Sequence, residues 1–298
     1  MAHRLSLVAW RALKPHAATA ARLLGAALIA MAGGLILLPE SAVLRATWVV
    51  LCGAVALYGA HVLFALAGIL FGLPPELRRK LQHLLAGGAI TAIGWSIGLS
   101  LAVTMMCSAM VAWLVFSKRL KDAQTLRHLT MSRRDSRQTH GEMLLPLGLL
   151  LSLWVAGGTT PAWFFGALTL TLADAAAALV GVHMGRMQYG VHRGAGQKSV
   201  EGNLAFFAVT LILGWIILPD AGLEAPATAV LALMSGAVVL TVLESLCTHG
   251  LDNLLLPMAA VLLVQLPGLL SSQALLGVAI ASLALLVWIA KRSSRLTL

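Results

Sequence analysis

Charge is scarce in this chain. Only 11% of its 298 residues are Asp, Glu, Lys or Arg, whereas ordinary soluble domains carry about 25%. Hydrophobic residues make up 59% and mean hydropathy is +0.91. A soluble globular protein is thereby excluded. Cysteine is also rare. Cys52, Cys107 and Cys247 stand singly, which excludes a CxxC metal pair and a disulfide framework. Acids are the scarcer charge, 11 against 21 basic residues, for a formal net charge of +10. In a soluble protein that excess would suggest nucleic acid. In a chain this apolar it predicts membrane orientation and attraction to anionic lipid head groups, with no nucleic-acid partner. No internal repeat, soluble domain or persuasive signal-cleavage site is visible, so the basic N-terminal run reads as an uncleaved first helix.

What is present is a series of apolar runs, many near the roughly 20 residues that cross about 30 Å of hydrocarbon. Without water to satisfy the backbone, such spans are helices. Ten segments are expected: 21–39, 47–72, 82–98, 101–116, 143–158, 160–182, 203–219, 226–247, 253–269 and 272–290. The fold expected is an all-α transmembrane bundle. With both termini cytoplasmic, twenty of the 21 Lys and Arg residues fall inside, and Arg45 is the exception. Orientation follows that basic bias.

This topology gathers the reactive residue types at the cytoplasmic face. Asp174, in TLADAAAALVGVHMG, lies inside the sixth span, about 12 Å from its cytoplasmic end at 1.5 Å per residue. An ionisable group there is costly and suggests function. Ala177, Ala178, Gly181 and Gly185 share its helix face and permit close approach of a helix or ligand. A tight helix interface with one satisfied aspartate is the alternative.

Lys198 and Glu201, in GQKSVEGNLAFF, stand at the mouth of the seventh span. The stretch fails the phosphate-loop pattern GxxxxGK[ST], because Gln197 precedes the lysine. A lysine at a helix N-terminus remains a plausible phosphate ligand; a snorkelling lysine with a local ion pair is the alternative. In RRKLQHLLAGG, Arg79, Lys80 and His83 share one side at the start of span three; positive-inside flanking charge with a chance histidine is the alternative. In LESLCTHGLDNLLLP, Glu244 ends span eight and Asp252-Asn253 open span nine. Two carboxylates and an amide could hold Mg²⁺, or Asp252 and Asn253 could simply cap a helix. Together these are the parts of phosphoryl chemistry, which is mostly positioning and charge neutralisation.

The motifs RKxxH (79–83), HGEMLLPLG (140–148), DAAAALVGxxxG (174–185), KSVEGNLAFF (198–207) and ESLCTHGLDNLLLP (244–257) resemble the polyprenol kinase family. That family includes phytol and farnesol kinases, dolichol kinases and CTP-dependent diacylglycerol kinases, and the phytol kinase branch looks most similar. The likeness covers about residues 78 to 265, in family order. It implies transfer of a nucleotide γ-phosphate, from CTP in preference to ATP, to an isoprenoid or related lipid alcohol, with Mg²⁺. It implies catalytic roles for Asp174, Lys198 and Glu201. Metal ligands would come from Asp174, Glu201, Glu244 and Asp252. Nucleotide or substrate contacts would come from Arg79, Lys80, His83, Gly181, Lys198 and Asn253. The division implied is 1–75 as an N-terminal transmembrane region, 76–269 as a kinase-like membrane domain, and 270–298 as a final span and basic tail. A bacterial inner membrane, with the site facing the cytoplasm, is the expected location; oligomeric state is left open. Two rivals stand beside the kinase. A cytidylyltransferase would release pyrophosphate, but the KD…HGG…DR signature of those enzymes is reduced here to HGLDN. A transporter would place its binding groups near the midplane of inverted repeats.

Overall fold

The computed structural model describes residues 2–37, 40–73, 75–117, 140–190, 197–218, 226–248, 250–265 and 272–294. Helices occupy each of the ten expected segments. Five of them are long and apolar enough to cross a membrane: Ala17–Leu37, Ala42–Gly68, Pro161–Met184, Val200–Ile217 and Ala229–Leu246. Met143–Val155 and Asp252–Gln265 are shorter apolar helices. The protein is an all-α integral membrane protein, with one small β-hairpin among the described residues. Large apolar side chains such as Ile36, Trp154, Trp215 and Ile216 stand exposed on its surface, as lipid-facing residues do.

By packing, the chain forms two compact units, Met1–Thr139 and His140–Leu298. This is a division by contact; the boundaries expected at 75 and 270 divide the chain by motif. The first unit holds α1 (Ala2–Leu37), α2 (Ala42–Leu70), α3 (Pro75–Ile97) and α4 (Ser100–Ser117). Its helices α1, α3 and α4 all pack on α2. The Trp48 indole of α2 donates to the Ala30 carbonyl of α1 at 2.8 Å. The division expected near Gly98 is present: α3 ends at Ile97, and Gly98 takes a φ of +64°, which glycine adopts without steric cost.

The second unit holds α5 (His140–Val155), α6 (Pro161–Leu168), a π-turn (Thr169–Ala173), α7 (Asp174–Met184), strands β1 (Gln188–Gly190) and β2 (Gln197–Ser199), α8 (Val200–Ile217), α9 (Pro226–Leu246), α10 (Asp252–Gln265) and α11 (Ser272–Ser294). Thr160 caps α6 by accepting from the Trp163 N–H at 3.3 Å, and Pro161 follows at the first helical position. Helix α10 packs against α5 and α6, and α9 against α8, α10 and α11. Two glycines set the closeness around α10. A Cβ at Gly148 of α5 would lie 2.1 Å from the Asn253 carbonyl oxygen, and one at Gly166 of α6 would lie 2.7 Å from that of Pro257. Backbone cannot give way as a flexible side chain can. Pro257 also has no N–H to offer the Asn253 carbonyl one turn earlier.

The π-turn joins α6 to α7 within one span. Its signature is the Asp174 N–H donating to the Thr169 carbonyl, five residues back. One extra residue per turn shifts the helical phase just before Asp174, and such insertions frequently occur at functional sites.

Candidate active site

Asp174 is the first residue of α7, where the π-turn ends, and is 2% exposed. Glu244 lies in the last turn of α9 and is 4% exposed; Asp252 opens α10 and is 5% exposed. Asn253 beside it is fully buried. Carboxylates so withdrawn from water are costly unless compensated. Much of the compensation comes from Lys198 in β2. Its ammonium forms an ion pair with the Glu244 carboxylate and donates to the Glu244 backbone carbonyl at 2.8 Å. The second bond caps the end of α9, where unpaired carbonyls and the helix dipole favour a cation. Burial pulls the ammonium's pKa down. The carboxylates of Glu244, Asp252 and Asp174 outweigh it, and the pKa stands above the ordinary lysine range. Four groups expected from sequence therefore share one field: Asp174, Lys198, Glu244 and Asp252.

The lysine reaches that position on a short β-hairpin. Strands β1 and β2 pair antiparallel, with Tyr189 opposite Lys198 and Gln188 opposite Ser199. Directly opposed residues project from the same face, so Tyr189 and Lys198 point the same way. Ser199 then caps α8 in extended conformation, its hydroxyl accepting from the Gly202 N–H at 3.0 Å. Such a cap contributes about 1 kcal/mol.

Glu201 has a different partner from the one its spacing suggested. Its carboxylate accepts from the backbone N–H groups of Arg186 at 3.0 Å and Met187 at 3.2 Å. It clamps the chain between α7 and the hairpin, while Lys198 turns to Glu244, 46 residues further on. Gly181 meets protein: a Cβ there would approach the Ser199 hydroxyl at 3.1 Å. One at Gly202 would lie 2.9 Å from the Ala177 carbonyl. The small-residue face of α7 thus serves the close packing of α7 on α8.

Lys80 and His83 are buried on α3 of the first unit, and Arg79 lies on the same helix. His249 of the HGLDN motif and residues 191–196 before the lysine lie outside the described residues.

Tyr189, Asn203, Ser245 and Cys247 also join the cluster, although sequence reasoning assigned none of them a site role. Tyr189 is buried, accepts from the Asn203 amide at 2.5 Å and is hydrogen-bonded to Ser245. Burial pushes its phenol's pKa up. Cys247 is buried beside all four charges; burial, then the Asp252 carboxylate, push its thiol up to about 12. Asn203, Ser245 and Cys247 lie within the KSVEGNLAFF and ESLCTHGLDNLLLP motifs, and Tyr189 is one of just two tyrosines in the chain.

Three carboxylates and an amide are hard oxygen donors, the type Mg²⁺ takes. Among the described residues, no three His, Cys, Asp or Glu side chains are grouped to hold a metal unaided. Mg²⁺ commonly uses one or two carboxylates and completes its octahedron with water and substrate phosphates. Such donors fit an ion that arrives with phosphate.

The chain is similar to a phytol kinase from Synechocystis sp.: 28% of residues are identical over 222, spanning 72% of this chain and 90% of that protein. The relationship is a distant one. No family model matches the chain, and no solved structure matches it.

Proposed function

We propose that this protein is a membrane-embedded lipid-alcohol kinase, transferring the γ-phosphoryl group of a nucleoside triphosphate to an isoprenoid or related alcohol. CTP is the favoured donor. The observation that carries this reading is the buried convergence of three carboxylates around Lys198 in a chain similar, over most of its length, to a phytol kinase.

In the reaction, the acceptor hydroxyl oxygen attacks the γ-phosphorus. The bond to the β-phosphate bridging oxygen breaks, and the nucleoside diphosphate leaves. The hydroxyl proton passes to a carboxylate. Asp174, buried at the start of α7, is the residue assigned to orient that hydroxyl. Lys198 offers a cation to the transferring phosphoryl oxygens, where positioning and charge neutralisation supply most of the catalysis. Asp252, Asn253 and Glu244 are the residues that would hold Mg²⁺, with Asp174 able to share it. When bound, Mg²⁺ neutralises charge on the β- and γ-phosphate oxygens. Glu201 contributes by fixing the chain that leads into the lysine hairpin.

In this reading the chain has ten spans with both termini cytoplasmic, and the site faces the cytoplasm from a bacterial inner membrane, where nucleotide and lipid both have access. That orientation rests on the one-sided distribution of Lys and Arg. Anionic lipids are the expected surroundings.

The test uses purified full-length protein, Mg²⁺, γ-labelled CTP or ATP, and a panel of phytol, geranylgeraniol, undecaprenol and diacylglycerol. Label in a lipid with release of nucleoside diphosphate is expected. Absence of transfer to every alcohol, under conditions where nucleotide binds, overturns the reading. Pyrophosphate release with a CDP-lipid product would instead indicate a cytidylyltransferase.

A further inference from the structure

Tyr189 stands at the centre of a buried hydrogen-bonded chain joining three elements of the second unit. The Asn203 amide of α8 donates to the Tyr189 oxygen at 2.5 Å. Ser245 of α9, fully buried, donates its only hydroxyl proton to the Thr241 carbonyl at 2.8 Å. Ser245 is also a side-chain hydrogen-bond partner of Tyr189, and with its own proton committed its oxygen is open to the phenolic one. The order is Asn203 to Tyr189 to Ser245 to Thr241, each proton used once.

Two facts tie this chain to the charged cluster. Tyr189 is the residue opposite Lys198 in the hairpin, and Ser245 directly follows Glu244, the lysine's partner. The phenol therefore links the strand that carries the ammonium to the helical turn that carries the carboxylate. The strand that carries the lysine is only three residues long, so each bond that holds it counts. Four rotatable side-chain bonds make the lysine a poor pointer unless its backbone is held.

We infer that Tyr189 is a positioning residue, holding Lys198 in register with Glu244 through the hydrogen bonds its phenol makes to Asn203 and Ser245. Its importance for catalysis rests on the kinase reading; its effect on Lys198 does not. Loss of one buried hydrogen bond is worth about tenfold in an equilibrium.

The experiment measures the rate at which an N-hydroxysuccinimide acetate reagent acetylates Lys198 in the full-length protein, read by mass spectrometry, with Lys80 as internal reference. Y189F keeps the ring and removes the hydroxyl. It should quicken acetylation of Lys198 about tenfold, with Lys80 unchanged. S245A, which removes the acceptor from the other side, should do the same. In the kinase assay, Y189F should raise KM for the nucleotide about tenfold and leave KM for the alcohol alone. An unchanged Lys198 rate in both variants overturns the inference. So does an equal rise at Lys80, which would signal general loosening. If wild-type protein phosphorylates no alcohol while Y189F still unmasks Lys198, the kinase reading falls and the positioning role stands.

Discussion

Replacing Lys198 with methionine keeps the bulk of the side chain and deletes its charge. The structure makes the consequence calculable. Glu244, Asp252 and Asp174 are 4%, 5% and 2% exposed, and the lysine is the cation on which all three act. Breaking a buried ion pair by removing one partner costs about 3–5 kcal/mol, because the remaining charge is left uncompensated. The lysine side chain is itself 24% exposed, so water recovers part of that cost and the lower end is expected. K198M should therefore lose about 3 kcal/mol, on the order of 10 °C in thermal midpoint. Adding E244Q removes one of the stranded carboxylates and should restore about half. Thermal unfolding in detergent, followed by circular dichroism, makes the comparison. Alkali supplies an independent arm. The ammonium's folded-state pKa lies above its ordinary value of 10.5. Its contribution is fully present below that value and is lost as pH rises through the higher folded-state value. Wild type should lose stability in that alkaline range, and K198M should lack that step. A K198M protein as stable as wild type, or a double variant no better than the single, would refute the account of a cation balancing buried carboxylates.

Four further outcomes are expected. Cys247 should resist iodoacetamide in the folded protein, since a pKa moved from 9.0 to about 12 lowers its thiolate fraction at pH 8 about a thousandfold; D252N should quicken the reaction, and rapid labelling of the native thiol would contradict its burial. G148A should cost about 1–3 kcal/mol or prevent accumulation, because its Cβ would sit 2.1 Å from a backbone oxygen; G88A, mid-helix with nothing within 4 Å, should equal or exceed wild type in the same melting assay. G250A should lose about 1 kcal/mol, as Gly250 holds a φ of +84° in the turn before α10. Isothermal titration should find Mg²⁺ binding weak without nucleotide and strong with it; tight binding by the protein alone would contradict the open donor set.

Much of this architecture was legible in sequence because the bilayer imposes it. Each long apolar run became a helix, and the Gly98 break fell where glycine could take a positive φ. Asp174, Lys198, Glu244 and Asp252 stood out because charge is expensive among such segments. Their partners were harder to read. Nothing in the spacing of Lys198 and Glu201 says that one turns to residue 244 and the other to the backbone at 186 and 187. Three-residue strands are too short to show an alternating pattern, so the hairpin and the Tyr189–Lys198 register were invisible. Neither Asn203 nor Ser245 is charged, and their link to the lysine runs through Tyr189, which only the fold reveals. The π-turn has no sequence signal that distinguishes it from ordinary helix.

The bond from Lys198 to the Glu244 backbone carbonyl gives the resting protein a surrogate ligand of its own. In the kinase reading, incoming phosphate must compete with a helix terminus and a carboxylate for the same ammonium. A singly charged anion has little to offer in that exchange, whereas a triphosphate accompanied by a divalent cation can replace both partners at once. The self-satisfied lysine would thus act as a threshold against phosphate, sulfate and other small anions. Its release would also be felt at the end of α9, so nucleotide occupancy would be reported to the helix that packs against α8, α10 and α11.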